Sequence, residues 1–346
     1  MHMADALISP AVGGAMFAVS GAALAYTIWK DRKEYSLDDR KVPVMGVMSA
    51  FVFAAQMINF TIPGTGSSGH IVGGILLSAL LGGGPALLCL TAVLVIQCLL
   101  FADGGLLALG CNIFNMGVIP CLVMYPLIYR PLTRGGLSKK RLTLASVLAA
   151  VAGLQLGAFS VVVETKLSGI TLLPFGTFLL LMQPIHLAIG LVEGLVTAAV
   201  LAYVASARPE LLESARISRP VDRKLPLKRV LAVMGILALL TGGGLSLFAS
   251  SYPDGLEWSV NGVLRKAEPA SAAAEPGEVR SLTAQGGAYD AARNIQQATS
   301  VMPDYGFKGS DSAAGTSVAG VAGSLAALAV AVGAGALITR ARRKTV

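Results

Sequence analysis

Residues 85–102 read PALLCLTAVLVIQCLLFA, an uncharged run in which Gln97 is the only amide. A helix rises about 1.5 Å per residue, so such a run reaches across most of a hydrocarbon core about 30 Å thick with its main-chain hydrogen bonds closed internally. Similar runs lie on both sides, each ended by charges, prolines or glycine clusters: 8–29, 42–60, 70–82, 106–129, 142–164 and 184–206. The run at 70–82 is too short to span and reads as a broken or deeply buried element. Two more, 229–250 and 317–339, flank a polar segment, 252–316. The expected fold is an all-α integral membrane protein: a seven-helix bundle followed by two further transmembrane helices around an extracytoplasmic loop.

Composition agrees. Of 346 residues, 54% are hydrophobic and 13% charged, mean hydropathy is +0.70, and the 40 glycines suit helices that approach closely in lipid. The net charge of +8 would suit nucleic acid only if it were gathered on a binding surface. It is gathered at span ends instead. Segments 30–41, 130–141, 208–229 and 340–344 hold 21 of the 27 Lys and Arg residues, and nine spans put all four segments on one face. The positive-inside rule makes that face cytoplasmic, with the N-terminus outside and the C-terminus inside. Cys89, Cys98, Cys111 and Cys121 lie in or beside apolar runs without a CxxC pair and read as buried small residues.

The first apolar run lacks a basic leader and continues to a basic stop, so Met1 and His2 are expected to survive in the mature chain. That matters because a free amine, the residue-2 amide nitrogen and the ring of a His at position 2 close two fused chelate rings. They offer three nitrogens in one plane. A further imidazole completes the square suited to Ni²⁺ or Cu²⁺, at the cost of the amide proton. His70, in Gly66-Ser67-Ser68-Gly69-His70, begins the short third run on the same outer face and is the candidate fourth ligand. The metal set is thus Met1, His2 and His70. Gln56 and Asn59, spaced i, i+3 at the end of the second run, are candidates to support the ligands, with Ser68 and His186 beside them. Cu²⁺ would bind such a plane tightest, so selectivity rests on geometry and availability.

Other chemistry lacks its residues. There is no HExxH, phosphate-binding Gly loop or CxxC, and Glu193 is the clearest buried carboxylate. A membrane metalloenzyme would want a general base, and an autonomous channel or carrier would want charged rings or acidic relays. No enzyme and no cofactor are expected.

Several motifs in order carry a resemblance: Met1-His2-Met3, Phe53-Ala54-Ala55-Gln56-Met57-Ile58-Asn59-Phe60, Gly69-His70, Phe101-Ala102-Asp103-Gly104-Gly105, Asn112-Ile113-Phe114-Asn115-Met116-Gly117, and Gln183 to Gly194. Over residues 1–206 the chain resembles the CbiM/NikM family, the substrate-binding S components of energy-coupling factor (ECF) transporters for cobalt and nickel. Pro253-Asp254-Gly255-Leu256-Glu257 resembles the PDGLE signature of the companion N component, a separate small protein in some systems and fused here. The implied organisation is an S component at 1–210, a cytoplasmic linker at 211–228 and a PDGLE part at 229–346. The latter has no His or Cys with which to supply ligands.

The resemblance also implies a prokaryotic cell membrane location and captured Ni²⁺, with Co²⁺ for cobalamin synthesis as the alternative. It implies a transmembrane coupling subunit of CbiQ/NikQ type and cytoplasmic ATPases of CbiO/NikO type, and no nucleic acid. Ala11, Ala15, Ala18 and Ala22 on the first span, and Ala50 and Ala54 on the second, offer smooth faces for helix packing. If this topology holds, a cysteine placed at Ser281 reacts with a membrane-impermeant maleimide in intact cells. Protection there overturns it.

Overall fold

A computed structural model describes residues 1–34, 41–213, 227–267, 286–310 and 312–343. Ser281 and most of the 211–228 linker lie outside them. The helices are α1 (Pro10–Glu34), α2 (Lys41–Gln56), α3 (Gly74–Leu81), α4 (Gly83–Phe101), α5 (Leu109–Thr133), α6 (Lys139–Ser168) and α7 (Phe175–Ala207). After the linker come α8 (Leu227–Gly243), α9 (Gly255–Ala267), α10 (Gly287–Thr299) and α11 (Ala313–Arg343). Among the described residues six helices, α1, α4, α5, α6, α7 and α11, are long and apolar enough to cross a membrane. The chain is a multi-pass membrane protein.

Three expected spans are shorter than a bilayer. α2 has 16 residues and α8 has 17, while α3 has 8, all of them buried. α3 is thus the buried element expected at 70–82, but it starts only at Gly74. Residues 70–73 ahead of it are not helical.

Two corrections follow at the second span. α2 stops at Gln56, and the chain turns at Met57 into a hairpin of β1 (Phe60–Ile62) and β2 (Ser67–Gly69), with Thr61 opposite Ser68. The all-helical expectation therefore gains a two-stranded element. Gln56 and Asn59 consequently do not share a helix face. The β-branched Thr61 and Ile62 followed by the glycine-containing turn at 63–66 favour a hairpin over continued helix.

Pro120 and Pro126 sit inside α5, where residues 114–129 take the wider i→i+5 bonding. A proline removes one donor and crowds the carbonyl four residues back, and widening the helix relieves that crowding. α6 and α7 lie along each other. Their spacing is set by Gly190 and Gly194, because a Cβ on either would stand 2.9 or 2.5 Å from the Cα of Val151 or Val147. This is the small-residue spacing by which helices approach in lipid.

The helices of the C-terminal part pack on α2: α8 and α11 both lie against it, and α9 lies on α7. Ala50 and Ala54 are buried, so that small-residue face is already occupied. Ala11, Ala15, Ala18 and Ala22 on α1 are exposed. Gly194→Leu should lower the stability of the purified protein by about 1–3 kcal/mol through overpacking, read as an earlier thermal transition in detergent. An unchanged transition would mean that α6 and α7 do not pack this closely.

Candidate metal centre

The N-terminal segment is held as a buried strap. Asn112, in α5, accepts the Met3 N–H at 2.8 Å and donates to the Met3 carbonyl at 3.3 Å. The Gly105 N–H donates to the same carbonyl at 2.8 Å, and Asp5 accepts the Ala108 N–H at 3.1 Å. Gly104 and Gly105 must lack side chains here. A Cβ on Gly104 would stand 2.9 Å from the Asn112 amide, and one on Gly105 would overlap Asp5.

This strap sets the His2 ring against His70, with ring centroids 5.2 Å apart and planes inclined by 27°. A chain of side-chain amides then fixes which His2 nitrogen carries the proton. The Val72 carbonyl can only accept, so Gln56 presents its NH₂ to it at 2.7 Å and turns its oxygen to the Gln97 NH₂, also at 2.7 Å. Gln97 Oε1 is left to accept from His2 Nε2 at 3.1 Å. In the neutral ring His2 Nε2 therefore carries the proton and Nδ1, the nitrogen that closes the chelate ring, keeps its lone pair. His70 is fixed the other way: Nδ1 donates to the Ile71 carbonyl at 3.1 Å, leaving Nε2 free. Burial pushes the His70 ring down to about 3, which keeps it neutral.

Two carboxylates complete the surroundings. Asp103 Oδ1 stands 3.5 Å from His2 Nδ1. Asp254 Oδ2 stands 3.2 Å from the Met1 amine. Burial works against the charge on Asp254, but the Met1 ammonium and the Glu257 N–H outweigh it and hold the carboxyl well below the usual range. Glu257 is pushed the opposite way, up to about 7, by burial and by the Asp254 charge.

Among the described residues no three His, Cys, Asp or Glu side chains form a metal cluster. Met1 and His2 do bring backbone donors to the two imidazoles, and no acceptor among the described residues takes the His2 main-chain N–H. A cavity of about 690 Å³, bounded by both halves of the chain, opens onto His2 and His70.

The other expected site residues fall around this pair in different ways. Gln56 reaches His2 through Gln97. Asn59 borders the cavity, and its main-chain carbonyl accepts from Ser250. Ser68 belongs to docking: its hydroxyl donates to the Tyr252 carbonyl at 2.8 Å, and its backbone pairs with Asp254. His186 donates from Nδ1 to the Met182 carbonyl at 2.8 Å and lies under Gly255, without a direct bond to His2 or His70. Glu193 binds the Val72 and Gly73 N–H groups at 2.8 and 3.0 Å and so holds the segment that carries His70. Gln97, Asp103 and Asp254 were not singled out as site residues from sequence. Gln97 had a signal as the one amide in an uncharged run, and Asp103 and Asp254 had one as members of the recurring motifs.

The family described as "Cobalt uptake substrate-specific transmembrane region", CbiM, matches residues 2–211, and the PDGLE domain matches 228–340. The chain belongs to the CbiM family. Among its relatives is a putative fused nickel transport protein NikMN of Archaeoglobus fulgidus, 33% identical over 95% of this chain and 96% of that one. A fused nickel transport protein NikMN of Rhodobacter capsulatus is 30% identical over 88% of each. The crystal structure of a truncated transition metal transporter, 33% identical, superposes with a TM-score of 0.52 over 60% of this chain and 99% of that one. As a CbiM-type protein this chain is a membrane component of nickel or cobalt transport.

Nitrogen-15 NMR of the metal-free protein should find His2 protonated at Nε2, with Nδ1 protonated in neutral His70. Gln97→Leu should remove the preference at His2 and leave His70 unchanged. A His2 ring unaffected by that change would break the proposed amide chain.

Proposed function

We propose that this chain is the substrate-capturing S component of an ECF importer and that it takes Ni²⁺ from the extracytoplasmic side for ATP-driven uptake. The ligands are the Met1 amine, the deprotonated His2 amide, His2 Nδ1 and His70 Nε2. The observation that carries this reading is the pair of facing imidazoles, 5.2 Å apart, whose hydrogen bonds leave one unprotonated nitrogen on each ring. It requires Met1 to bear the mature amine.

Each ring nitrogen is a neutral donor of the kind that suits nickel, and the amine and amide complete a plane that hard oxygen-loving cations do not seek. Both backbone groups must lose a proton to bind, so affinity falls as pH is lowered. Asp254 supports the amine from the PDGLE part, which supplies an orienting carboxylate and no ligand. The domains divide as residues 1–210, 211–228 and 229–346, with the N-terminus outside and the C-terminus cytoplasmic.

A CbiQ/NikQ-type coupling subunit and CbiO/NikO-type ATPases are the partners this reading needs. The exposed small-residue face of α1 supports contact with the former. Co²⁺ is the second reading, favoured by the cobalt description of the matching family. The names of the fused relatives favour nickel.

Adding residues ahead of Met1 turns the amine into an amide and moves His2 out of position 2. Calorimetric titration should show Ni²⁺ binding abolished as fully as in His2→Ala, whereas a C-terminal tag leaves it intact. His70→Ala should weaken binding strongly and His186→Gln much less. An extended, folded protein that bound Ni²⁺ with unchanged affinity would refute the ligand set.

A further inference from the structure

Two acceptors face each other in the site. The amide chain from Val72 leaves His2 Nδ1 with a lone pair, and 3.5 Å away stands Asp103 Oδ1, a carboxylate oxygen with no other hydrogen-bond partner among the described residues. A cation, a proton or a metal ion, placed between them satisfies both. A metal about 2 Å from Nδ1 therefore has Asp103 as a near neighbour. If the carboxylate closed onto it, the ion would gain a fifth ligand outside the plane of nitrogens. That outcome would weaken discrimination, because Ni²⁺ is suited to a four-coordinate square, whereas added oxygen donors move a site away from it.

The second oxygen of Asp103 is held from the other half of the chain. The Tyr305 hydroxyl donates to Asp103 Oδ2 at 2.5 Å. Its ring stacks on Phe101 at 4.8 Å and 17°, and Phe53 stands edge-on at 6.3 Å. The tyrosine has no freedom to follow the carboxylate. The preceding backbone is equally committed: Asp304 and Tyr305 have φ of 53° and 59°, a left-handed pair that non-glycine residues adopt only when their surroundings enforce it. The Met302 N–H, bonded to the Leu100 carbonyl at 3.1 Å, pins the turn to the end of α4, one turn beyond Gln97. Asp254, the other carboxylate beside the ligands, has both oxygens engaged, one by the Met1 amine and one by the Glu257 N–H. Asp103 is thus the carboxylate with one oxygen facing His2, and Tyr305 is the group that holds its other oxygen.

We propose that Tyr305 is a selectivity residue: by tying Asp103 Oδ2 it keeps that carboxylate beside the metal as a counter-charge and off it as a ligand, which preserves the four-nitrogen plane and favours Ni²⁺ over Co²⁺. This inference rests on the ligand set proposed above and assigns the PDGLE part a role in choosing the ion.

The test uses full-length Tyr305→Phe, which keeps the ring stack and deletes the tether to Asp103 together with the hydroxyl's hydrogen bond to Gln97. Ni²⁺ and Co²⁺ affinities are measured by competition, and the spin state of bound Ni²⁺ by magnetic susceptibility. The wild type should hold Ni²⁺ diamagnetic, as a planar ion. Tyr305→Phe should make a substantial fraction paramagnetic and cut the Ni²⁺-over-Co²⁺ preference by about tenfold or more, the scale of outer contacts to metal ligands. Tyr305→Phe combined with Asp103→Asn should restore a diamagnetic ion, because the amide is a far weaker ligand. A folded Tyr305→Phe protein with wild-type spin state and preference overturns the inference. Adding the N-terminal extension to both proteins separates the two claims. Loss of binding in both keeps the ligand set while the Tyr305 result decides selectivity, and retained binding removes the ligand set and this inference with it.

Discussion

A main-chain carbonyl can accept a hydrogen bond and cannot donate one, and the carbonyl of Val72 imposes that direction on everything bonded above it. Gln56, Gln97 and His2 form a line in which each amide must spend its NH₂ toward Val72 and its oxygen away from it. The line ends by protonating His2 at Nε2 and clearing Nδ1. Gln56 and Gln97 are both buried, so few other partners compete for their amides and the direction persists. Glu193 binds the N–H groups of Val72 and Gly73, which fixes the carbonyl itself and the backbone leading from His70 into α3. The broken third span is therefore part of the site: its non-helical residues carry one imidazole and the reference point for the other.

The second constraint is that the site closes only across the full length of the chain. The Met1 amine meets Asp254, and the His2 neighbour Asp103 meets Tyr305. The hairpin that interrupts the second span offers its β2 edge to Pro253 and Asp254 through Ser68. α8 and α11 cover the face of α2 that ends at Gln56. Fusing the PDGLE part to the bundle keeps these contacts at high effective concentration, since docking becomes intramolecular. It also places the carboxyl groups of Asp254 and Glu257 on the wall of the cavity.

Much of this was legible in the sequence, for definable reasons. Long uncharged runs mark spans because lipid forbids unsatisfied backbone, and α1, α4, α5, α6 and α11 fall where the runs do, whereas α7 starts at Phe175, nine residues ahead of the expected 184. His2 and His70 could be paired because they share one face of the expected topology and the chain has three histidines. What hydropathy cannot carry is a change of backbone type inside an apolar stretch. Met57 to Asn59 are as apolar as a helix end, yet the chain has already left α2 there, and the presumed Gln56–Asn59 face dissolved with it. Nor does a single sequence reveal that Gln97 stands between Gln56 and His2, since that contact joins residues 41 and 95 positions apart. Asp103 and Asp254 were visible only as motif residues, and Tyr305 carried no signal of its own. Their role depends on a tertiary approach over some two hundred positions.

Nickel K-edge X-ray absorption on the Ni²⁺-loaded, N-terminally unmodified protein tests the central claim most directly, because it sees the ligand atoms themselves. A planar ion with four nitrogen neighbours near 2 Å, in line with ordinary metal–nitrogen bonds of about 2.0–2.1 Å, with outer scattering from two imidazoles, is the result expected from Met1, His2 and His70. A six-coordinate, oxygen-rich shell, or one containing sulfur from the nearby methionines and cysteines, would contradict it.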